Sequence, residues 1–460
     1  MKIFNTYLTL FAFTICGFSS LQSLAQARDQ AQEQLLDKET VFREALDKNF
    51  GILVSRNQLS IARNNASILN SGYLPSLVAN SAAGYNQDNS SIEFPGQFLE
   101  DGTPRPNLLI DNAEAQRYST GLQMNYILFD GLGRMYNYKA LKARYSLSEL
   151  QLRETIENTV IQLFSVYFRV AQSSENTAVL RNILALSKRR LQRAQYAFEF
   201  GQSNKLAVLN AQVDVANDSI SLMSAKQSLA TSKRDLSLLI QQDESVAYEV
   251  DTEITFMPLQ QIESLLGTAK TNNVQYLLAK ANIRINEYDV KVSVSGYLPR
   301  IGLTGSYGWN LNQSAVSAFF PGVNNTNYNL NLGANLTWNL FDGGQTTTRI
   351  KNAKIALDNQ AILTAQQAAS FERDLKNAWD VYENSLAIFA LQQDLVATSQ
   401  NNFERTEQQY NLGSITAIEF RQAQLNLLNA QTNSNTAKYN AKLAEYALLQ
   451  LSGQLLNSDF

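Results

Sequence analysis

The sequence predicts a mainly α-helical chain that also carries a few long β-strands of membrane type, and three observations carry that prediction. Helix and strand breakers are scarce: Gly 21 and Pro 7 in 460 residues are about 5% and 1.5%, where about 7% and 5% are usual. Two stretches, Arg134–Phe200 and Gln345–Leu412, hold no Gly or Pro and repeat apolar residues at coiled-coil spacing. Four other segments alternate apolar and polar residues, the two in the second half over 11 or more positions. That is longer than the usual strand of about 5–6 residues.

The rest of the composition removes whole classes of function. There is no His, and the single Cys is Cys16. Serine or cysteine catalysis through histidine, His-bearing metal sites and a disulfide framework are therefore excluded. Charged residues make up 17%, below the usual ~25%, and the polar remainder is Asn, Gln, Ser and Thr. A net charge of -3 gives no footprint for nucleic acid. No cofactor is expected, and Gly343-Gly344 lacks a phosphate-loop pattern.

The N-terminus reads as an export address. Lys2 precedes an apolar run, Leu8 to Ile15, then small residues and Ala25-Gln26-Ala27. This is the order of a secretory signal peptide over residues 1–27, leaving a mature chain of residues 28–460 with a net charge of about -4. Bulky Ile15 before Cys16 argues against lipid attachment there. No apolar run of 18 follows, so no membrane-crossing helix is expected.

An internal duplication orders everything after it. Ser71-Gly72-Tyr73-Leu74-Pro75 recurs as Ser295-Gly296-Tyr297-Leu298-Pro299, and Leu128-Phe129-Asp130-Gly131 as Leu340-Phe341-Asp342-Gly343. Phe198-Glu199-Phe200-Gly201, continuing to Ala211-Gln212, recurs as Tyr410-Asn411-Leu412-Gly413, continuing to Ala423-Gln424. So long a period is a duplicated half and not a solenoid unit; the two repeats run about 38–241 and 259–452.

Each half begins helix-like (about Lys38 to Asn70 in the first). It turns at the Gly-Tyr-Leu-Pro corner, where Pro forbids a continuing helix. Strands follow, over about 74–129 and 298–341. Ile301, Leu303, Tyr307, Trp309 and Leu311 alternate with Gly302, Thr304, Ser306, Gly308 and Asn310. Tyr328, Leu330, Leu332, Leu336, Trp338 and Leu340 alternate with Asn329, Asn331, Gly333, Thr337 and Asn339. Leu122, Met124, Tyr126 and Leu128 do so in the first half, with a weaker strand at Leu77–Tyr85. The second-half lengths reach or exceed the 9–11 residues of a tilted membrane strand, and Tyr307, Trp309, Trp338 and Phe341 suit an interfacial aromatic belt in contact with outer-membrane lipid. Polar loops are expected at about Asn86–Gln116 and Gln313–Asn327.

The long helices follow. A stripe runs Leu152, Ile156, Thr159, Leu163, Val166, Val170, Ser173, Thr177, Leu180, Leu184, Ser187, Leu191, Ala194, Phe198 in steps of three or four, the supercoiling period. Ile350, Ala353, Leu357, Ala361, Thr364, Ala368, Phe371, Leu375, Ala378 and Tyr382 repeat it. Gly201 and Gly413 fit hairpin turns into second helices, about Asn204–Gln241 and Thr416–Leu451, with Ser203 or Ser414 as caps of the return. Asp130 and Asp342 fit N-caps of the long helices. Four strands cannot close a membrane barrel, since the smallest known have eight, and an open edge in lipid leaves backbone groups unsatisfied. Further copies must complete the cylinder, their number left open by the residues.

These features in this order, over essentially the whole mature chain, resemble the TolC-type outer-membrane efflux proteins. The resemblance implies a homotrimer in which four strands per chain contribute to a shared transmembrane β-barrel. It implies long antiparallel coiled-coil-like helices forming a periplasmic α-barrel, and equatorial segments at about 242–258 and 453–460. It implies a location in the cell outer membrane reaching into the periplasm. Function would be that of a passive conduit in a tripartite efflux or type I secretion system, fed by an inner-membrane pump through a periplasmic adaptor. Adaptor docking falls by position on the hairpin tips: Arg193, Phe198, Gly201, Gln202 and Ser203, and Arg405, Tyr410, Gly413 and Ser414. Where some members place a Val-Asp-Val-Leu-Asp gate, this chain reads Ile418-Glu419-Phe420-Arg421-Gln422, so Glu419 and Gln422 are the pore-gate candidates. The first-half counterparts Ala207 and Asn210 are uncharged. Glu419 equally fits a helix N-terminus, and Arg193 and Arg405 fit helix C-termini. The competing class is a structural stalk or adhesin with a membrane anchor, which should place its strands at one chain end.

Overall fold

A computed structural model describes residues 34–243, 248–315 and 322–458. The expected signal peptide and Cys16 lie outside the described residues. The element order is β1 (Gln34–Leu36), α1 (Lys38–Lys48), α2 (Phe50–Asn65), β2 (Ser76–Ile92), β3 (Leu108–Phe129), α3 (Gly133–Glu199) and α4 (Lys205–Ile240). It continues with β4 (Tyr248–Val250), α5 (Leu259–Leu266), α6 (Ala269–Asn272), α7 (Val274–Val294), β5 (Arg300–Ser314), β6 (Val323–Thr337), α8 (Gln345–Asn411) and α9 (Ala417–Leu451). Both long helices are 67 residues, the length expected from the absence of breakers. None of the described helices is long and apolar enough to cross a membrane.

Two compact units are present. Among the described residues, one comprises 59–148 and 279–364, the other 34–58, 149–278 and 365–458.

The first unit holds the sheet. Its order is β2-β3-β5-β6, antiparallel throughout, so β2 and β6 keep free edges. Register sorts the side chains into two faces because successive residues point opposite ways. Leu77, Met124, Gly305 and Leu332 share one row, and Ala79, Leu122, Tyr307 and Leu330 the next. Ser81, Thr120, Trp309 and Tyr328 follow on the same face. The opposite face carries Asn80, Gly121, Gly308 and Asn329, then Ala82, Ser119, Asn310 and Asn327. Asn310 donates to Asn329 Oδ1 across the pair at 3.0 Å. Every residue of β6 is exposed, with Leu332 at 77% and Leu330 at 67%.

The strands outrun their expected ends at the far side. β2 and β3 pair through Asn86↔Ala115 to Ile92↔Leu108, and β5 and β6 through Gln313↔Asn324, so much of both expected loops is ladder. The backbone bonds continue there while the side chains lose their period of two, polar through Asn86–Asn89 and Asn324–Asn327 and consecutively apolar at Leu108-Leu109-Ile110, which erases the alternation that marks a strand. At the near side β6 stops at Thr337, short of the Leu340 end. The next position sets Trp338 opposite Pro299, which has no N–H to continue the ladder. Trp338 donates its indole N–H to the Tyr297 carbonyl instead, at 3.0 Å.

The helix expected over Lys38–Asn70 is broken at Asn49. This residue has extended ψ, donates its N–H to the Ala45 carbonyl to end α1, and accepts from Gly51 N–H through Oδ1 to start α2. Asp130 and Asp342 cap α3 and α8 from two residues further back than an N-cap. Asp130 accepts from Arg134 N–H at 2.9 Å and Asp342 from Thr346 N–H at 2.9 Å, because a left-handed pair of residues turns the chain in between.

The second unit packs the helices around an aromatic core. Val160, Leu163, Phe164, Tyr167, Phe168 and Val170 of α3 meet Leu236 and Ile240 of α4, Tyr439 and Tyr446 of α9, and the strands β1 and β4. Those strands pair in parallel. Tyr167 Oη donates to the Leu36 carbonyl at 2.8 Å and accepts from Asp251 N–H at 3.0 Å, which pins both. The predicted α3 stripe is buried or half-buried except Phe198, and on α8 Ala361 alone of the predicted stripe is exposed.

Candidate functional site

The hairpin tips and the sheet hold the residues that the sequence singles out, so the candidate site is built from them. Both hairpins turn the same way. Gly201 and Gly413 have φ of +73° and +76° with nothing within 4 Å of an added Cβ. Glycine is therefore required by backbone conformation and not by crowding. Gln202 N–H donates to the Ala197 carbonyl at 2.7 Å and Ser414 N–H to the Gln409 carbonyl at 2.9 Å, closing the same C-terminal motif. The return helices are capped one or two residues later than expected: Asn204 accepts from Ala207 N–H and Thr416 from Glu419 N–H, not Ser203 or Ser414.

The predicted tip residues fall into three groups. Arg193 and Tyr410 are brought together. The guanidinium donates to the Asn411 carbonyl at 3.0 Å and lies 5.0 Å from the Tyr410 ring centre. Tyr410 stacks on Phe420 at 4.7 Å, beside Phe403 and Leu427. Phe198, Gly201, Gln202, Gly413 and Ser414 are exposed and Ser203 is half-buried, with Lys205 Nζ 5.5 Å over the Phe198 ring. Arg405 stands apart, bound to Asn401 one turn back on its own helix.

Glu419 sits in a capping box. Its Oε2 accepts from Thr416 N–H at 2.8 Å and from Thr416 Oγ at 2.9 Å. These bonds, the backbone one first, hold its carboxyl below the usual carboxylate range. Gln422 donates to Asn426 on its own helix.

One constellation escaped the sequence. Arg421 donates to both oxygens of Asp218, at 2.7 and 2.9 Å. Ser187 donates to the same carboxylate, and Gln424 donates to Ser187. Arg190 pairs with Asp214, and burial pushes the Arg190 guanidinium down from its usual range. The cluster ties α3, α4 and α9 together just behind the tips, at the floor of a cleft of about 650 Å³ that Arg193, Ser203, Tyr410 and Ile418 also line. Its signal was faint, because Asp214 and Asp218 are one turn apart on α4 and face Arg421 only across the fold. A second buried cluster holds the segment after β4: Lys442 donates to the Thr255 carbonyl and to Glu445, and Glu445 accepts from Met257 N–H and Tyr382 Oη.

The sheet supplies the membrane geometry. From the Pro299–Trp338 level to Trp309 and Tyr328 is ten positions, about 33 Å along a strand and about 25 Å in height at a ~40° tilt. That equals the apolar band of outer-membrane barrels. Tyr307, Trp338 and Phe341 are exposed and Trp309 is half-buried.

The sequence pattern of the family described as "Outer membrane efflux protein" matches residues 41–240 and 265–454. The chain belongs to the outer membrane efflux protein family. It is 24% identical over 453 residues to the outer membrane protein TolC of Vibrio cholerae, covering 97% of this chain and 95% of that one. It is 23% identical over 339 residues to the outer membrane efflux protein BepC of Brucella suis, covering 73% and 72%. Its fold matches the CmeC outer membrane channel of Campylobacter jejuni with a TM-score of 0.72 at 16% identity, over 91% and 86% of the two chains. The protein is thus an outer-membrane efflux protein of TolC-like channel fold.

Proposed function

We propose that three copies of the chain form a closed conduit that passes substrates outward, fed by an inner-membrane pump through a periplasmic adaptor, in an efflux or type I secretion system. One observation carries the reading: a sheet apolar on one face and polar on the other, with β6 exposed on both faces and two free edges. Such a sheet is satisfied only when its edges pair with other copies, its greasy face meets lipid and its Asn-rich face meets water. Trp338 and Phe341 would mark the periplasmic belt, with Trp309 on the far side and Tyr307 in the band between.

Exposed heptad seams support the same assembly. Leu206, Leu209, Val213, Ile220 and Met223 run along α4 at 47–70% exposure. Val381, Ile388, Leu391 and Leu395 do so along α8. Two different seams on one chain make a head-to-tail interface, and such interfaces close into rings. The adaptor would engage the exposed tip residues Phe198, Gly201, Gln202, Gly413 and Ser414, the half-buried Ser203 and the cleft behind them, and Arg193 and Tyr410 hold the two tips in register. Arg405 would face the adaptor from one side. The outlet through the tips would be governed by the Arg421–Asp218 cluster more than by Glu419, whose carboxylate is occupied in its capping box.

Planar-bilayer conductance of the purified protein, with mass measurement of the same sample, tests this reading. Trimer mass with discrete channels supports it; a monomer without channels ends it. Glu419→Gln should leave cation selectivity unchanged, and a shift in selectivity would restore Glu419 as a gate.

A further inference from the structure

Below the sheet, in the same unit, α3 and α7 hold cations between tyrosines around a cleft of about 560 Å³ lined by Lys139, Lys142, Arg284 and Tyr288. Lys291 Nζ lies 5.5 Å from the Tyr136 ring centre and 5.6 Å from that of Tyr288. Lys139 stands 5.6 Å over Tyr136, and Lys142 4.5 Å over Tyr138. Arg284 lies 6.0 Å from Tyr288, with Glu287 nearby on its own helix. None of the four cations makes an ion pair among the described residues. The neighbouring Asp289 is taken by Arg144.

The depth of the cluster gives it meaning. α3 begins at Gly133 and α7 ends at Val294, both at the sheet corner. At 1.5 Å per residue, Lys291 and Lys139 lie about 5 and 9 Å below that corner and Lys142 about 14 Å. Side chains of a helix lean toward its N-terminus, so Lys139 and Lys142 lean back toward the sheet. The headgroup layer occupies about 5–8 Å on each side of the hydrocarbon. Tyrosine and snorkelling lysine are the residues that settle there.

We propose that this cleft binds the phosphate of an anionic phospholipid in the periplasmic leaflet. Lys139, Lys142 and Lys291 reach the phosphodiester, Arg284 closes the far wall, and Tyr136 and Tyr288 pack against the glycerol region. The site would anchor the channel at a fixed depth, independently of transport.

The test uses the full-length protein in its native oligomer, in neutral detergent, titrated with phosphatidylglycerol or phosphatidylcholine and read by native mass spectrometry. Retained phosphatidylglycerol is expected on the wild type and not phosphatidylcholine. Each cation near a membrane surface contributes about fivefold, so K139Q/K142Q/K291Q should weaken phosphatidylglycerol binding by about a hundredfold. Lys226→Gln, on α4 far along the chain, should not change it. The same spectrum reports oligomer mass, and bilayer conductance of the variant should stay at the wild-type value. Equal retention of the two lipids overturns the proposal, as does a triple variant that keeps its preference. Displacement of the lipid by millimolar inorganic phosphate would assign the cleft to a free anion and overturn the lipid site.

Discussion

Leu132 is a leucine in a glycine's conformation. Its φ is +69°, and the equivalent place in the second repeat is Gly344, with φ of +88°. A side chain there costs about 1–2 kcal/mol, and Leu132 is exposed, so it recovers little by burial. Leu132→Gly should therefore stabilise by about 1 kcal/mol, less the extra chain entropy of glycine, seen as a higher Tm. The neighbouring Gly131 is constrained differently from its repeat mate Gly343. A Cβ on Gly131 would lie 2.6 Å from the Ser295 carbonyl oxygen, and one on Gly343 meets nothing within 4 Å. Gly131→Ala should lower Tm well beyond Gly343→Ala, although both leave the left-handed region equally strained. At the tip, the lowered pKa of Glu419 sets a sign. Its stabilisation is present above the ordinary carboxylate pKa and is lost as pH falls through the lower folded value. Amide exchange at Ala417–Phe420 should stay protected through the pH at which an ordinary carboxylate protonates and lose protection only as pH falls further, and Thr416→Ala, which removes the cap, should cost about 1 kcal/mol at neutral pH.

Among the elements, legibility followed how local the cause was. The ends of the four hairpin helices fall within a residue or two of expectation, because Gly201, Gly413, Asp130 and Asp342 act on their own backbone, whereas the break at Asn49 carries no such signal. Strand faces were read from alternation alone, and register then aligned Leu122, Tyr307 and Leu330 as the pattern requires. What escaped depends on partners distant in sequence: the end of β6 is set by Pro299, 38 residues earlier, and Asp218 meets Arg421 with |i−j| of 203. That last pair carries the prediction at this scale. Both side chains are largely buried, and removing one partner of a buried pair leaves a charge uncompensated, at about 3 kcal/mol or more. Arg421→Ala should loosen α9 from α4, speeding amide exchange along Phe420–Leu427 and raising single-channel conductance. An Arg421→Met, Asp218→Leu double variant removes both charges and should restore the exchange protection. Unchanged conductance in Arg421→Ala would mean that the cluster only braces the helices.

For the whole molecule, the decisive quantity is what one copy leaves unsatisfied. A four-stranded sheet with free edges, an apolar face open to its surroundings and two bare heptad seams is half of every interface it needs. In the proposed ring the seams and the sheet meet the same neighbour, so assembly should be cooperative: losing the seam should also leave the barrel unclosed. The seam is the cleaner one to break. Leu209 and Ile220 are exposed in one chain and touch none of the buried clusters, so charging them does little to the fold of a single copy. Leu209→Glu with Ile220→Glu places like charges in a seam that must be dry to pack. Native mass spectrometry should find monomer in place of the oligomer, with circular dichroism keeping its helical signal and bilayers showing no channels. The control separates assembly from folding: Val208, buried beside Leu209 at 3% exposure, should on conversion to Glu reduce the helical signal itself. An L209E/I220E variant that remained oligomeric would place the contact between copies elsewhere than on α4, and the closed helical wall would then need a different pair of faces.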